Sequence, residues 1–253
     1  MNQQSCTMKH LFTAALLAFS VFATAQDATE IVRKSEENVR GSQSTSTLEI
    51  RTVRPNWERT MVAKTWSKGL DQNLILITQP ARDKGTVFLK RDKEIWNYVP
   101  TIERSVKLPP SMMMQSWMGT DFSNDDLVNE SSTLVDYEHE ITGEVTVEGL
   151  DCWVVEFTPK PEAPVVWGKI INYISKEDYL QLKGEFYDED GYLINTMQGF
   201  DIKDLNGRKL PTRIRMTPAE EEGHYTEMIY RDLDFNAKLS DTFFSIQNMK
   251  RLR

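Results

Sequence analysis

From Ser44 to Phe235 the apolar residues recur at every second position, and turn-forming residues return about every ten. Leu48 and Ile50 alternate with Thr47, Glu49 and Arg51; Trp153, Val155 and Phe157 alternate with Val154 and Glu156. Leu180, Leu182 and Phe186 keep the same period, as do Leu210, Ile214 and Met216. A period of two with one wet and one apolar face predicts antiparallel strands, about ten or eleven of them in a long meander. Asp190-Gly191 and Asn206-Gly207 are hairpin dipeptides between such strands. Ahead of the strands, Ile31, Val32, Ser35 and Val39 share one face of a helix. That helix opens on Asp27-Ala28-Thr29-Glu30, where Asp27 can cap and Glu30 can reach back, and stops at Gly41.

A twisted sheet of this length curls rather than lying flat. Its concave face is expected to be lined by Leu48, Ile50, Trp153, Val155 and Phe157, and further along by Leu182, Phe186, Ile214 and Met216. Such a face needs a cover. The N-terminal helix supplies part of it, and the interruption of the strand pattern from Pro109 to Asn129 supplies the rest. Within it, Ser111 to Met118 reads as a short helix, and Ser123-Asn124-Asp125-Asp126 caps a second turn ending near Asn129. The stretch is rich in soft apolar surface: Met112, Met113, Met114, Trp117, Met118 and Phe122. Methionine repacks around different partners at little strain, so the segment suits a lid over a cargo site as well as a plug in a core. Pro109 and Pro110 fix one hinge and Gly119 the other.

Residues 1–25 carry Lys9 and His10, an apolar run from Leu11 to Phe22 and a small-x-small end at Ala23-Thr24-Ala25. They are expected to be a cleaved secretory leader, which leaves residues 26–253 as one exported domain without a lipid anchor. The remaining chain holds one cysteine, Cys152, read as a small core residue outside any disulfide framework. The formal charge of the whole chain is −8, which argues against a nucleic-acid partner.

The residues do not assemble into catalytic patterns. His139 and His224 are read as solvated strand residues, and Asp188-Glu189-Asp190-Gly191 as a hairpin, since Met197 stands where a calcium loop needs glutamate. No metal, cofactor or enzymatic activity is expected. Trp57, Trp66, Trp96 and Trp167 are read as sheet core.

Several ordered stretches together resemble the outer-membrane lipoprotein-sorting proteins of the LolA-like superfamily. They include Lys64-Thr65-Trp66-Ser67-Lys68-Gly69, Glu94-Ile95-Trp96-Asn97-Tyr98-Val99-Pro100, the run from Lys107 to Leu127, Glu185 to Gly191, and the tail from Asp241 to Arg251. The resemblance implies an unclosed antiparallel β-barrel with helices over its mouth, acting in the periplasm as a monomer. It further implies a carrier that shields the acyl chains of lipoproteins or other lipids between inner and outer membranes, taking them from an inner-membrane transporter and delivering them to an outer-membrane receptor. An inner-strand arginine that tethers the lid is also implied, with Arg51, Arg59 and Arg82 as alternatives. The competing reading is an accessory or adaptor subunit of an ABC- or RND-type export system.

Overall fold

A computed structural model describes residues 27–252 apart from 70, 93, 129–131 and 206. The expected leader, Asn206 and the end of the second lid turn at Asn129 therefore lie outside the described residues. Helix α1 spans Ala28–Arg40, with the Asp27 carboxylate accepting from the Thr29 N–H at 2.9 Å and Gly41 closing it at φ 61°. Glu30 does not reach back to the cap; it pairs with Arg33, one turn on.

Thirteen strands form one antiparallel sheet in place of the expected ten or eleven. The first six are β1 (Gln43–Arg54), β2 (Trp57–Lys68), β3 (Gln72–Gln79), β4 (Val87–Arg91), β5 (Glu94–Val99) and β6 (Arg104–Lys107). The other seven are β7 (Tyr137–Val147), β8 (Leu150–Pro159), β9 (Lys169–Ser175), β10 (Gln181–Tyr187), β11 (Leu193–Leu205), β12 (Arg208–Pro218) and β13 (Tyr225–Asp234). The strands obscured in the sequence are the short ones and those buried on both faces. Leu74, Leu76, Val87 and Leu89 turn away from the main core and are covered by Phe244 and Met249 of the C-terminal tail, so β3 and β4 lose the two-residue alternation.

The order β6-β5-β4-β3-β2-β1-β13-β12-β11-β10-β9-β8-β7 is two meanders joined where β1 pairs with β13. The sheet is unclosed, and its two edges, β6 and β7, are consecutive in sequence. The connection between them must cross the open side. That segment is the one singled out by its methionines, and it carries helices α2 (Asn124–Val128) and α3 (Ser132–Asp136). A short helix α4, Ile246–Met249, ends the tail.

Candidate functional site: a lidded hollow

Strand β6 ends as Leu108 donates to the Ile95 carbonyl at 2.8 Å, and Pro109 and Pro110 have no N–H to continue the ladder. The lid is not the expected short helix. It consists of two single 3₁₀ turns, Pro110–Met112 and Trp117–Gly119, around an irregular bend. Residues 116–123 close on themselves: Trp117 donates to the Phe122 carbonyl at 2.8 Å, and the Thr120 hydroxyl to the Trp117 carbonyl at 2.7 Å. Met118 and Gly119 both lie at positive φ, 53° and 75°, which is routine for glycine and costs strain for methionine. Ser123 caps α2 reciprocally, its hydroxyl accepting from Asp126 N–H while Asp126 accepts from Ser123 N–H.

The lid is fastened to the sheet at two points. Arg54 of β1 donates both terminal nitrogens to the Asp121 carboxylate, at 2.8 and 3.0 Å, and Thr226 of β13 adds a hydroxyl donor at 2.6 Å. Arg59 of β2 donates to the Met118 carbonyl. Of the three arginines considered for the tether, Arg59 reaches the lid, whereas Arg51 pairs with Glu58 and Arg82 with Asp83. Burial, with Arg82 close by, pulls the Arg59 guanidinium below its ordinary range.

Inside the curl lies a cavity of about 230 Å³. Leu48, Phe157, Phe186, Ile214 and Met216 line it, and so does Phe122 between β6 and β7. Ile50, Trp153 and Val155 point to the same side but are packed into the surrounding core, Trp153 against the ring of Tyr179 at 5.7 Å. Leu182 contradicts the alternation. A bulge places it as an extra residue between Gln181, opposite Ile174, and Lys183, opposite Tyr173, so it faces out into a small cluster with Cys152 and Leu180.

The lid residues divide in the same way. Trp117 is fully buried against Phe88, ring centroids 5.4 Å apart, and its indole N–H is buried without an acceptor among the described residues. Met112, Met113 and Met118 pack half-buried on the core beside it. Met114, in the bend that follows the first 3₁₀ turn, is 67% exposed and is no part of the apolar underside. Two glycines sit where a side chain would crowd its neighbours: a Cβ at Gly184 would meet Asn172 at 3.0 Å, and one at Gly199, which lines the cavity, would meet Pro211 at 2.9 Å.

Sequence reasoning missed the carboxylates under the lid. Asp126 lines the cavity, accepts from the Trp167 indole N–H at 3.1 Å, and is pushed up to about 6 by burial. Its place after a capping serine was visible; its burial was not. The histidines are apart from one another. His139, expected in solvent, is half-buried between the Thr29 hydroxyl, the Thr133 carbonyl and the Phe157 ring, because α1 packs across β7; burial lowers its pKa. His224 lies in the β12–β13 turn beside Glu221. Cys152 is free and buried, with its thiol pushed up by burial. Among the described residues no group of three His, Cys, Asp or Glu is placed to hold a metal ion.

A family model described as "Uncharacterized protein" matches residues 69–251. No curated protein matches the sequence. Among solved structures, a DUF1329 family protein from Desulfovibrio piger is 23% identical, with a TM-score of 0.80 over 88% of this chain and 100% of that one. A protein described as an outer membrane lipoprotein-sorting protein domain, from Vibrio parahaemolyticus, is 24% identical with a TM-score of 0.79 over 88% and 98%. A LolA superfamily protein from Nitrosomonas europaea is 24% identical with a TM-score of 0.77 over 88% and 100%. At these identities the likeness establishes a shared fold: an unclosed, mainly β, LolA-like half-barrel.

Proposed function

The chain belongs to the family whose model it matches and folds as LolA superfamily proteins do, and from these premises we propose that it is a non-enzymatic periplasmic carrier of acyl chains. It would shield the chains of lipoproteins or other lipids between the inner and outer membranes. An inner-membrane transporter is the expected donor and an outer-membrane receptor the expected acceptor.

The observation that carries this reading is the lidded cavity: an apolar hollow in a curled sheet, spanned by a segment bound to the sheet through a few polar fastenings. A sixteen-carbon chain needs shielding worth roughly 13 kcal/mol at about 0.8 kcal/mol per methylene, which an open groove does not provide. The cavity of about 230 Å³ falls short of the roughly 300–1,000 Å³ of an ordinary ligand site. Entry of a chain therefore requires the lid to lift, with Met112, Met113, Met118 and Phe122 giving up their contacts to the incoming methylenes. Pro109, Pro110 and Gly119 bound the part that moves.

The test is native mass spectrometry on protein made from the full sequence in a Gram-negative host. Retained lipid at one or a few copies supports the carrier. Protein free of lipid that also fails to bind a fluorescent palmitoyl probe contradicts it and favours an adaptor that uses the sheet only for docking.

A further inference from the structure

The inner face of the sheet is not uniformly apolar. Along β1 the inward positions read Ser44, Ser46, Leu48, Ile50, and along β2 they read Met61, Ala63, Thr65, Ser67. The polar ends coincide: Ser44 faces Ser67 and Ser46 faces Thr65, with hydroxyl oxygens 2.7 and 2.6 Å apart. Asn73, opposite Ser67 on β3, continues the strip. All five line the cavity at its α1 end, whereas the lid is fastened at the other end, where Arg54 and Arg59 flank the β1–β2 turn.

Ser44 and Ser46 are 8% and 6% exposed, which is deep for hydroxyls facing a hollow. Buried polar groups are retained where something satisfies them. Each hydroxyl pair has two hydrogens and its mutual bond uses one, so each pair keeps one donor for a third group. Asn73 Oδ1 is buried without a hydrogen-bond partner among the described residues. The strip thus carries unused hydrogen-bonding capacity within one wall.

The same end opens outward. A cleft of about 730 Å³ beside the C-terminal half of α1 shares Glu36 and Arg40 with the cavity wall. Its four cations, Arg33, Lys34, Arg40 and Arg208, are matched by four acids, Glu36, Glu37, Glu177 and Asp178. Arg33 pairs with Glu30 and Glu37, Arg208 donates to the backbone carbonyls of Glu37 and Asn38, and Glu36 accepts from Thr133. Acids and bases are equal in number around it, so the cleft does not present the concentrated positive charge that a phosphate would need.

We infer that the hollow takes an amphiphile head-first toward α1, and that its headgroup is uncharged and hydroxyl-bearing, held by the strip of Ser44, Ser46, Thr65, Ser67 and Asn73. This rests on the acyl-carrier reading and specifies the cargo class. A glycerol ester and a sugar glycoside share this chemistry. The tail runs toward Phe157, Phe186 and Met216 beneath the lid.

The experiment is competition against a fluorescent palmitoyl probe by 1-palmitoylglycerol, hexadecyl glucoside, methyl palmitate and hexadecyl phosphate. Two added hydrogen bonds in a shielded site are worth about tenfold in affinity, so at least one of the hydroxylated ligands should outcompete methyl palmitate by roughly that factor. Whichever does so tells glycerol from sugar. In a Ser46→Ala/Thr65→Val variant the preference should fall by about half on a logarithmic scale while methyl palmitate binds as before. Equal competition by all four ligands, or a preference for the phosphate, overturns the inference and leaves acyl carriage standing. Failure of every ligand and of the probe overturns both. The comparison among ligands on the unmodified protein decides the matter even if the variant misfolds.

Discussion

The Asp121 carboxylate, 5% exposed, receives two bonds from the Arg54 guanidinium, 13% exposed, and so joins the lid to β1, next to the middle strand of the sheet. The Thr226 hydroxyl and the Asp121 N–H, which donates back to Thr226 at 3.0 Å, complete the clasp. The lid crosses between the two free edges, held by this clasp and by the Arg59 tether.

Arg54→Ala leaves a buried carboxylate without its cation, and losing one partner of such a pair costs about 3–5 kcal/mol. Asp121→Asn removes the charge but keeps an acceptor, and is expected to cost about 1–2 kcal/mol. Urea denaturation of the two variants measures both, with the arginine substitution the more damaging.

Arg59→Leu removes the bond to the Met118 carbonyl without touching the cavity wall. A charge-assisted bond contributes about 1.5–3 kcal/mol. The lid should therefore open more often, and a palmitoyl probe should enter at least about fivefold faster in stopped-flow mixing.

The four methionines are not equivalent. Met114→Ser is expected to change stability by less than about 0.5 kcal/mol and to leave probe affinity unchanged, since the side chain is exposed. Met112→Ser and Met113→Ser should weaken probe binding, because both sit on the core. Trp117→Ala, at a fully buried site, should cost about 3–5 kcal/mol in thermal unfolding.

Asp126 gives the lid a pH dependence. Burial holds its carboxyl at about 6, above the ordinary aspartate range, so the folded state binds the proton more tightly than the unfolded chain does. The resulting stabilisation is full below about pH 4 and is lost as pH rises through about 6, amounting to about 3 kcal/mol. Comparing denaturation at pH 4 and pH 7.5, Asp126→Asn should remove this contribution from the difference.

The sheet was readable in the sequence because most strands keep one face wet: Leu48 and Ile50 announce β1, and Leu210, Ile214 and Met216 announce β12. Reading failed where a second layer or a bulge intervened. Phe244 and Met249 cover the outside of β3 and β4 and erase their period, and the extra residue in β10 turns Leu182 outward. The segment that covers the open side was marked by its composition and its break in pattern. Its fastenings were not, since nothing local marks Asp121 as the partner of Arg54, which is distant in sequence, or selects Arg59 over Arg51 and Arg82. The polar strip went unread, because Ser44 and Ser46 meet Ser67 and Thr65 only through the strand pairing, which no local pattern marks.

The central claim is that the lid gives way to an acyl chain while the sheet stays intact. Hydrogen–deuterium exchange of the protein with and without saturating palmitoyl ligand tests it most directly. The Trp117 and Thr120 amides, now bonded within the lid, are expected to exchange faster in the ligand-bound protein, while the β1–β13 ladder remains protected. Saturable binding that leaves the lid amides as slow as before, or that loosens the ladder instead, would contradict it.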